Sequence, residues 1–307
     1  MQKTIKLLLS LIFVSYAGNI NAQTYRDTLV SEIVHNFPKD ETAYKKLKAD
    51  IKELEKLEEK TNPEILHNKL RYIYEQNDID YFKEVLTLLT RNYGFNLSYA
   101  SGNEPYYNDI IGGNLATWFK EMYIKNHSEW LSENLDKQIV IYRLSTISEK
   151  DKLINGISAF FHRSTAFTHE QKELIEEALD DYSFNNIRAI VDVSTDTGLL
   201  PTGNSLALVQ KGYDIVELHN LQRKNTFEKT WKSLYPLYKA SYLNKDISLK
   251  KFRTVDFASY KHNGKQIFNS IKIEDMHESW WNNPDDTEIP LADPELTKKL
   301  RTELGWE

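Results

Sequence analysis

Apolar residues in this chain recur at intervals of three and four rather than two, and that period constrains the fold more than any other feature. It lines one face of a helix, whereas on a strand it would scatter over both faces. Tyr44, Leu47, Ile51 and Leu54 form one stripe. Leu66, Leu70 and Ile73 form a second, behind Asn62 and Pro63 as cap and first-turn residue. Phe82, Val85, Leu86 and Leu89 form a third that stops near Gly94. Three amphipathic helices with short polar links predict antiparallel helical packing, as a bundle or as stacked helical pairs.

Asn, Ser, Gly, Pro and Tyr then dominate from Asn96 to Tyr107, which reads as a long loop. Helical signals resume with Trp118, Phe119 and Met122, then Trp130 and Leu131, then Ile139 to Leu144. Thr168 with Gln171 has the spacing of a capping box ahead of Leu174, Ile175, Ala178, Leu179 and Tyr182. After a Thr/Gly/Pro-rich turn at Thr195 to Asn204, one helix is expected through Leu206 to Leu218. Another carries Trp231, Leu234, Tyr235, Tyr238 and Tyr242 on one face. Asn263-Gly264 supplies the positive backbone dihedrals of a tight turn and predicts a β-hairpin between Tyr260-Lys261 and Ile267-Phe268. Asp293-Pro294 opens a final helix lined by Leu296, Leu300 and Leu304 and closed by Gly305. The expected fold is mainly α, with a small β-hairpin near the C-terminus; no fixed repeat length is visible.

The start of the chain carries Lys3 and Lys6, an eleven-residue apolar run from Leu7 to Ala17, and a short polar stretch ending at Ala22. The run is well short of the roughly 20 residues of a membrane-crossing helix and has the anatomy of a secretory signal cleaved after Ala22. The expected organisation is therefore a signal peptide over 1–22, a helical region over 23–145 and a mainly helical domain with the hairpin over 146–307. The expected location is periplasmic or secreted. Removing the leader shifts the net charge from −6 to −8, so nucleic acid is a poor partner: phosphate binding needs a basic surface, and no dense Lys/Arg block is present. Cysteine is absent, which excludes disulfides and thiolate metal sites and leaves stability to core burial. With 40% hydrophobic residues, the chain can bury one large core or two smaller ones.

No motif carries an activity. The eight histidines form no His-Glu-x-x-His or His-x-His spacing, and His162 and His169 read as surface histidines rather than a metal pair. No nucleophile elbow, P-loop or dinucleotide fingerprint occurs, so no metal or cofactor is expected. Asp180-Asp181 are adjacent on a helix and point apart, a poor arrangement for shared acid and base work. In Glu278 to Asp286, Trp280 and Trp281 beside Asp285 could form a platform for a sugar ring; the same residues also suit a packed corner and a solvated turn. His219, Asp256 and Gln266 could converge in one cleft with Asp256 orienting His219 as a base. Each also has an ordinary structural use as cap, ion-pair partner or strand residue.

From about Thr197 onward the order of features resembles the bacterial domain-of-unknown-function family 6624. The matching positions are Gly203, His219, Asp256, Gly264-Lys265-Gln266, Phe268, Ser270, Pro290, Asp293-Pro294, Arg301 and Leu304-Gly305. The departures fall on polar positions: Leu218 and Ile271 stand where the family has Gln, Phe257 where it has Arg, and Asn269 where it has Gly. The resemblance implies a shape without an activity, and the departures imply an altered site. The leading expectation is a non-catalytic binding protein of the cell envelope, with an unknown envelope protein or a small ligand as partner. The alternative is a hydrolase acting on an envelope glycan or peptide through His219 and Asp256.

Overall fold

In the computed structural model, which describes residues 25–97, 102–208, 212–276 and 287–306, the three stripes become three helices. They follow a helix over residues 25–35 (α1). Asp40 accepts the Ala43 amide and opens α2 (Glu41–Glu58), which buries Tyr44, Leu47, Ile51 and Leu54. Asn62 caps α3 (Pro63–Glu75), with proline in the first turn where its missing N–H costs nothing. Asp78 starts α4 (Ile79–Tyr93), and Gly94 ends it at φ +63°. Together with the short α5 (Tyr107–Ile111) and with α6 (Ala116–Glu133), these helices enclose a first core. Leu29, Ile33, Leu47, Leu70, Phe82, Leu86 and Phe119 are among its buried members.

A second core lies among α7 (Lys137–Arg163), α8 (His169–Val193), α9 (Tyr213–Gln222), α10 (Lys224–Leu243), α11 (Lys250–Asn263) and α12 (Pro294–Leu304). The Thr168/Gln171 capping box forms with both of its hydrogen bonds, and Asp293 and Gly305 bound α12. The division expected after residue 145 lies within α7, a 27-residue helix. Phe268 sits at the heart of this core, stacked on Tyr235 and edge-on to Trp231, Phe252 and Trp306. Such ring geometry adds roughly 1 kcal/mol per pair to simple burial.

The expected β-hairpin is not formed. Asn263 is the last residue of α11, and Gly264 at φ +68° is its C-cap, its amide returning to the Tyr260 carbonyl. The left-handed conformation that a tight turn demands is also the one that stops a helix. Tyr260-Lys261 is helical and Ile267-Phe268 is loop. No strand appears among the described residues, and Gln266 makes only an isolated parallel bridge to Leu291.

Buried charge fastens the two cores together. Arg26 of α1 is 2% exposed and reaches Glu58 of α2, also buried, at 2.8 Å. It also donates to the carbonyls of Lys245 and Ile247 beyond α10. Lys60 pairs with Asp246 at 2.7 Å, and Lys245 donates to the Leu57 carbonyl. No helix among the described residues is long and apolar enough to cross a membrane.

Candidate functional site

Asp256 faces inward from α11 and is fully buried. Its Oδ1 accepts the amides of Ile267 and Phe268 at 2.6 and 2.8 Å, and its Oδ2 accepts the amide and hydroxyl of Ser270 at 2.8 and 2.7 Å. Burial pushes this carboxyl above its ordinary range, while the Ser270 hydroxyl and the three amides pull the other way. Gln266, 3% exposed, donates through Nε2 to the Ile289 carbonyl and the Asn269 side chain and accepts the Ile271 amide. Thr297 donates to the Ile267 carbonyl, and Arg301 donates to the carbonyls of Phe268 and Asn269. The structure thus brings Asp256 and Gln266 onto one loop, residues 265–271, where they satisfy backbone groups that no helix or sheet serves.

His219 has a different partner from the expected Asp256. On α9, its Nδ1 lies 2.6 Å from Oδ2 of Asp151, a residue of α7 whose side chain is 1% exposed. A carboxylate can only accept, so in this contact Nδ1 is the donor. Asn155 Nδ2, 2.9 Å from the same ring nitrogen, donates to the Asp151 carbonyl one turn back. Arg223 donates to Asn155 Oδ1 and pairs with Glu176 and Asp180 of α8 at 2.9 Å each; Asn225 holds the second oxygen of Asp180. Asp151 Oδ1 is buried without a hydrogen-bond partner. The arrangement is a partly exposed imidazole held by a desolvated carboxylate, a pairing that general bases use.

A separate cleft of about 670 Å³ opens between α1 and the loop-rich end of the second core. Asp27, Val30 and Ser31 form one wall; Lys250 and Arg253 of α11, Asn269, Ser270, Arg301 and Trp306 form the other. Trp306 Nε1 donates to Tyr242 Oη, which donates to Asp27 Oδ2 at 2.5 Å, so a relay of three side chains fixes the floor. The acids are already engaged, Asp27 by Arg26, the Leu249 amide and Tyr242, and Glu32 by Lys46. Arg253 donates Nε to the Ser270 carbonyl, and neither it nor Lys250 has a carboxylate partner among the described residues. Arg301 lies against the Trp306 ring at 5.5 Å. The cleft therefore sets Lys250, Arg253 and Arg301 against two carboxylates that share their cations with other acids, Asp27 sharing Arg26 with Glu58 and Glu32 sharing Lys46 with Asp50.

Trp280, Trp281 and Asp285 lie outside the described residues. His162 and His169 face different glutamates, Glu176 at 3.2 Å and Glu173 at 3.4 Å. Among the described residues no group of three His, Asp or Glu side chains is arranged to hold a metal. Comparison with protein-family descriptions, with curated proteins and with solved structures finds no match to this chain.

Asp151 and the cleft cations escaped the sequence reading. Asp151, Asn155, Ser158 and His162 share one face of α7, a polar stripe visible in sequence once the helix is extended past Leu144. That Asp151 meets His219, 68 residues away, has no sequence signature.

Proposed function

We propose that this protein binds a small anionic ligand in the cleft between α1 and the 265–271 loop, working outside the cytosol once residues 1–22 are removed. The observation that carries the reading is the set of cations at the cleft: Lys250, Arg253 and Arg301 line it against Asp27 and Glu32, and Lys250 and Arg253 lack carboxylate partners among the described residues. Arg301, held by the carbonyls of Phe268, Asn269 and Trp306 and lying against the Trp306 ring, adds a positive charge of fixed position at the edge of the cleft. Tyr242 and Trp306 supply an apolar floor of the kind that ligand pockets share. The last third of the chain is proposed as a divergent form of family 6624, its departures at Asn269 and Ile271 lying in or beside the cleft loop.

The test is calorimetric titration with inorganic phosphate and with small mono- and dicarboxylates. Binding is expected for at least one of them, with Arg253→Ala lowering the affinity by about tenfold, the magnitude of one charge-assisted hydrogen bond. Absence of binding by every probe, or an unchanged affinity in Arg253→Ala, rules the reading out.

A second reading rests on the 2.6 Å Asp151–His219 contact. In this reading His219 takes a proton from water attacking a glycan or peptide bond, with Asp151 in the orienting role expected of Asp256. Turnover on envelope substrates that vanishes in a folded His219→Gln variant would favour it over binding alone. Turnover retained in that variant removes it.

A further inference from the structure

The longest helix, α7, carries two faces. Leu144, Ile147, Asp151 and Ile154 point into the second core. The other face exposes Ile139 (68%), Tyr142 (74%), Leu153 (65%), Ile157 (36%) and Phe160 (64%), an apolar stripe in which Phe160 meets the neighbouring Phe161 ring edge-on. At helical pitch these five residues, with Thr146, Glu149 and Lys150, fall within about 100° of one another.

The spacing of the stripe reads the same in both directions. Reversed about a point between Glu149 and Lys150, Ile139 takes the place of Phe160, Tyr142 that of Ile157, and Thr146 that of Leu153. Glu149 then meets Lys150. We infer that α7 is the contact of a symmetric homodimer, two copies of this chain pairing antiparallel through this stripe. A two-fold axis places one surface against itself, so a stripe that matches its own reverse, with opposite charges at its centre, is complementary to a second copy. Lys150 has no carboxylate partner among the described residues, while Glu149 bonds only Lys152, three residues on, in an exposed pair of small worth. Both are available to the other protomer.

The stripe spans 22 residues, about 32 Å along the helix from first to last, so two copies meeting along one helix width make a contact at the small end of specific interfaces. Dissociation is expected in the micromolar range, roughly 8 kcal/mol of association free energy.

Sedimentation equilibrium of the full mature chain from about 1 to about 100 μM, a range that brackets this affinity, should show a monomer–dimer equilibrium. Leu153→Glu should shift it to monomer without changing helicity or thermal midpoint, because the side chain is solvent-facing. Glu149→Lys and Lys150→Glu should each weaken the dimer several-fold, and the double exchange should restore it. Since the chain has no cysteine, single-cysteine variants are clean reporters. A mixture of Ile139→Cys and Phe160→Cys should cross-link with a short bis-maleimide, while each variant alone should not. A monomer at every concentration, a dimer indifferent to Leu153→Glu, or cross-linking of Ile139→Cys to itself overturns the inference. Co-sedimentation of the monomer with anionic vesicles, lost in Leu153→Glu, would instead assign the stripe to a lipid surface.

Discussion

The two cores hold their backbone in different ways. In α2 to α4 each helix satisfies its own amides, its ends are closed by Asp40, Asn62, Asp78 and Gly94, and the buried face is mostly apolar, with Glu58, Lys69 and Thr90 as its polar members. In the second core, residues 265–271 run as irregular chain with Gln266 to Phe268 buried, and the buried Asp256, Gln266 and Thr297, with the half-buried Arg301, supply the hydrogen bonds. The contrast teaches where each half is vulnerable. A region built from periodic helices spreads its stability over many small contributions, whereas a region built on a few buried polar hubs concentrates it.

The sharpest way to break this comparison is Asp256→Ala. Three amides and a hydroxyl lose their acceptor in a buried site, at roughly 1–3 kcal/mol each where nothing replaces it. A loss of about 4 kcal/mol or more is expected in urea denaturation. A loss no greater than that of an ordinary helix cap would mean that packing around Phe268 holds the loop unaided.

Next in size is Gly94→Ala, at the seam of the cores. The new Cβ would stand 2.4 Å from the Trp130 indole at a backbone φ of +63°. Strain and displacement together should cost about 3 kcal/mol. A cost near zero would show that Trp130 can swing aside and that the seam is loosely packed.

Asp40→Ala removes the cap of α2 and should cost about 1 kcal/mol, the usual worth of such a residue, read from the same denaturation curves. The smallest effect expected is a pH dependence. Burial pushes His127, stacked between Tyr123 and Trp130, below its ordinary value of 6.5. The unfolded chain therefore binds a proton more readily than the folded one, and stability falls as pH drops through 6.5 toward the lower folded value. His127→Gln should flatten that fall in thermal midpoint; an equal slope in the variant would place its origin elsewhere.

How much of this was legible in the sequence follows the same divide. Apolar period and caps are local, so the Asn62-Pro63 start, the Gly94 stop, the Thr168/Gln171 box and the Asp293/Gly305 bounds could all be read from neighbouring residues. Asn263-Gly264 misled because positive φ serves a hairpin turn and a helix stop alike, and only the fate of the following residues separates them. Gln266 and Ile267 find their partners in Asp256 and the 289–292 segment rather than in a returning strand. The polar contacts between distant residues were not legible: Asp151 with His219, and Arg26 with Glu58, join positions 68 and 32 residues apart. No periodicity encodes such a meeting.

Arg26 bears on how the cleft behaves before anything enters it. Swinging α1 away would strand a desolvated guanidinium and the carboxylate of Glu58, so that wall is bolted rather than hinged. The recess stands ready-made. An anion of the kind proposed for the cleft should arrive in one kinetic phase whose rate climbs in proportion to its concentration and slackens with added salt, as expected when charge and diffusion, not rearrangement, govern entry.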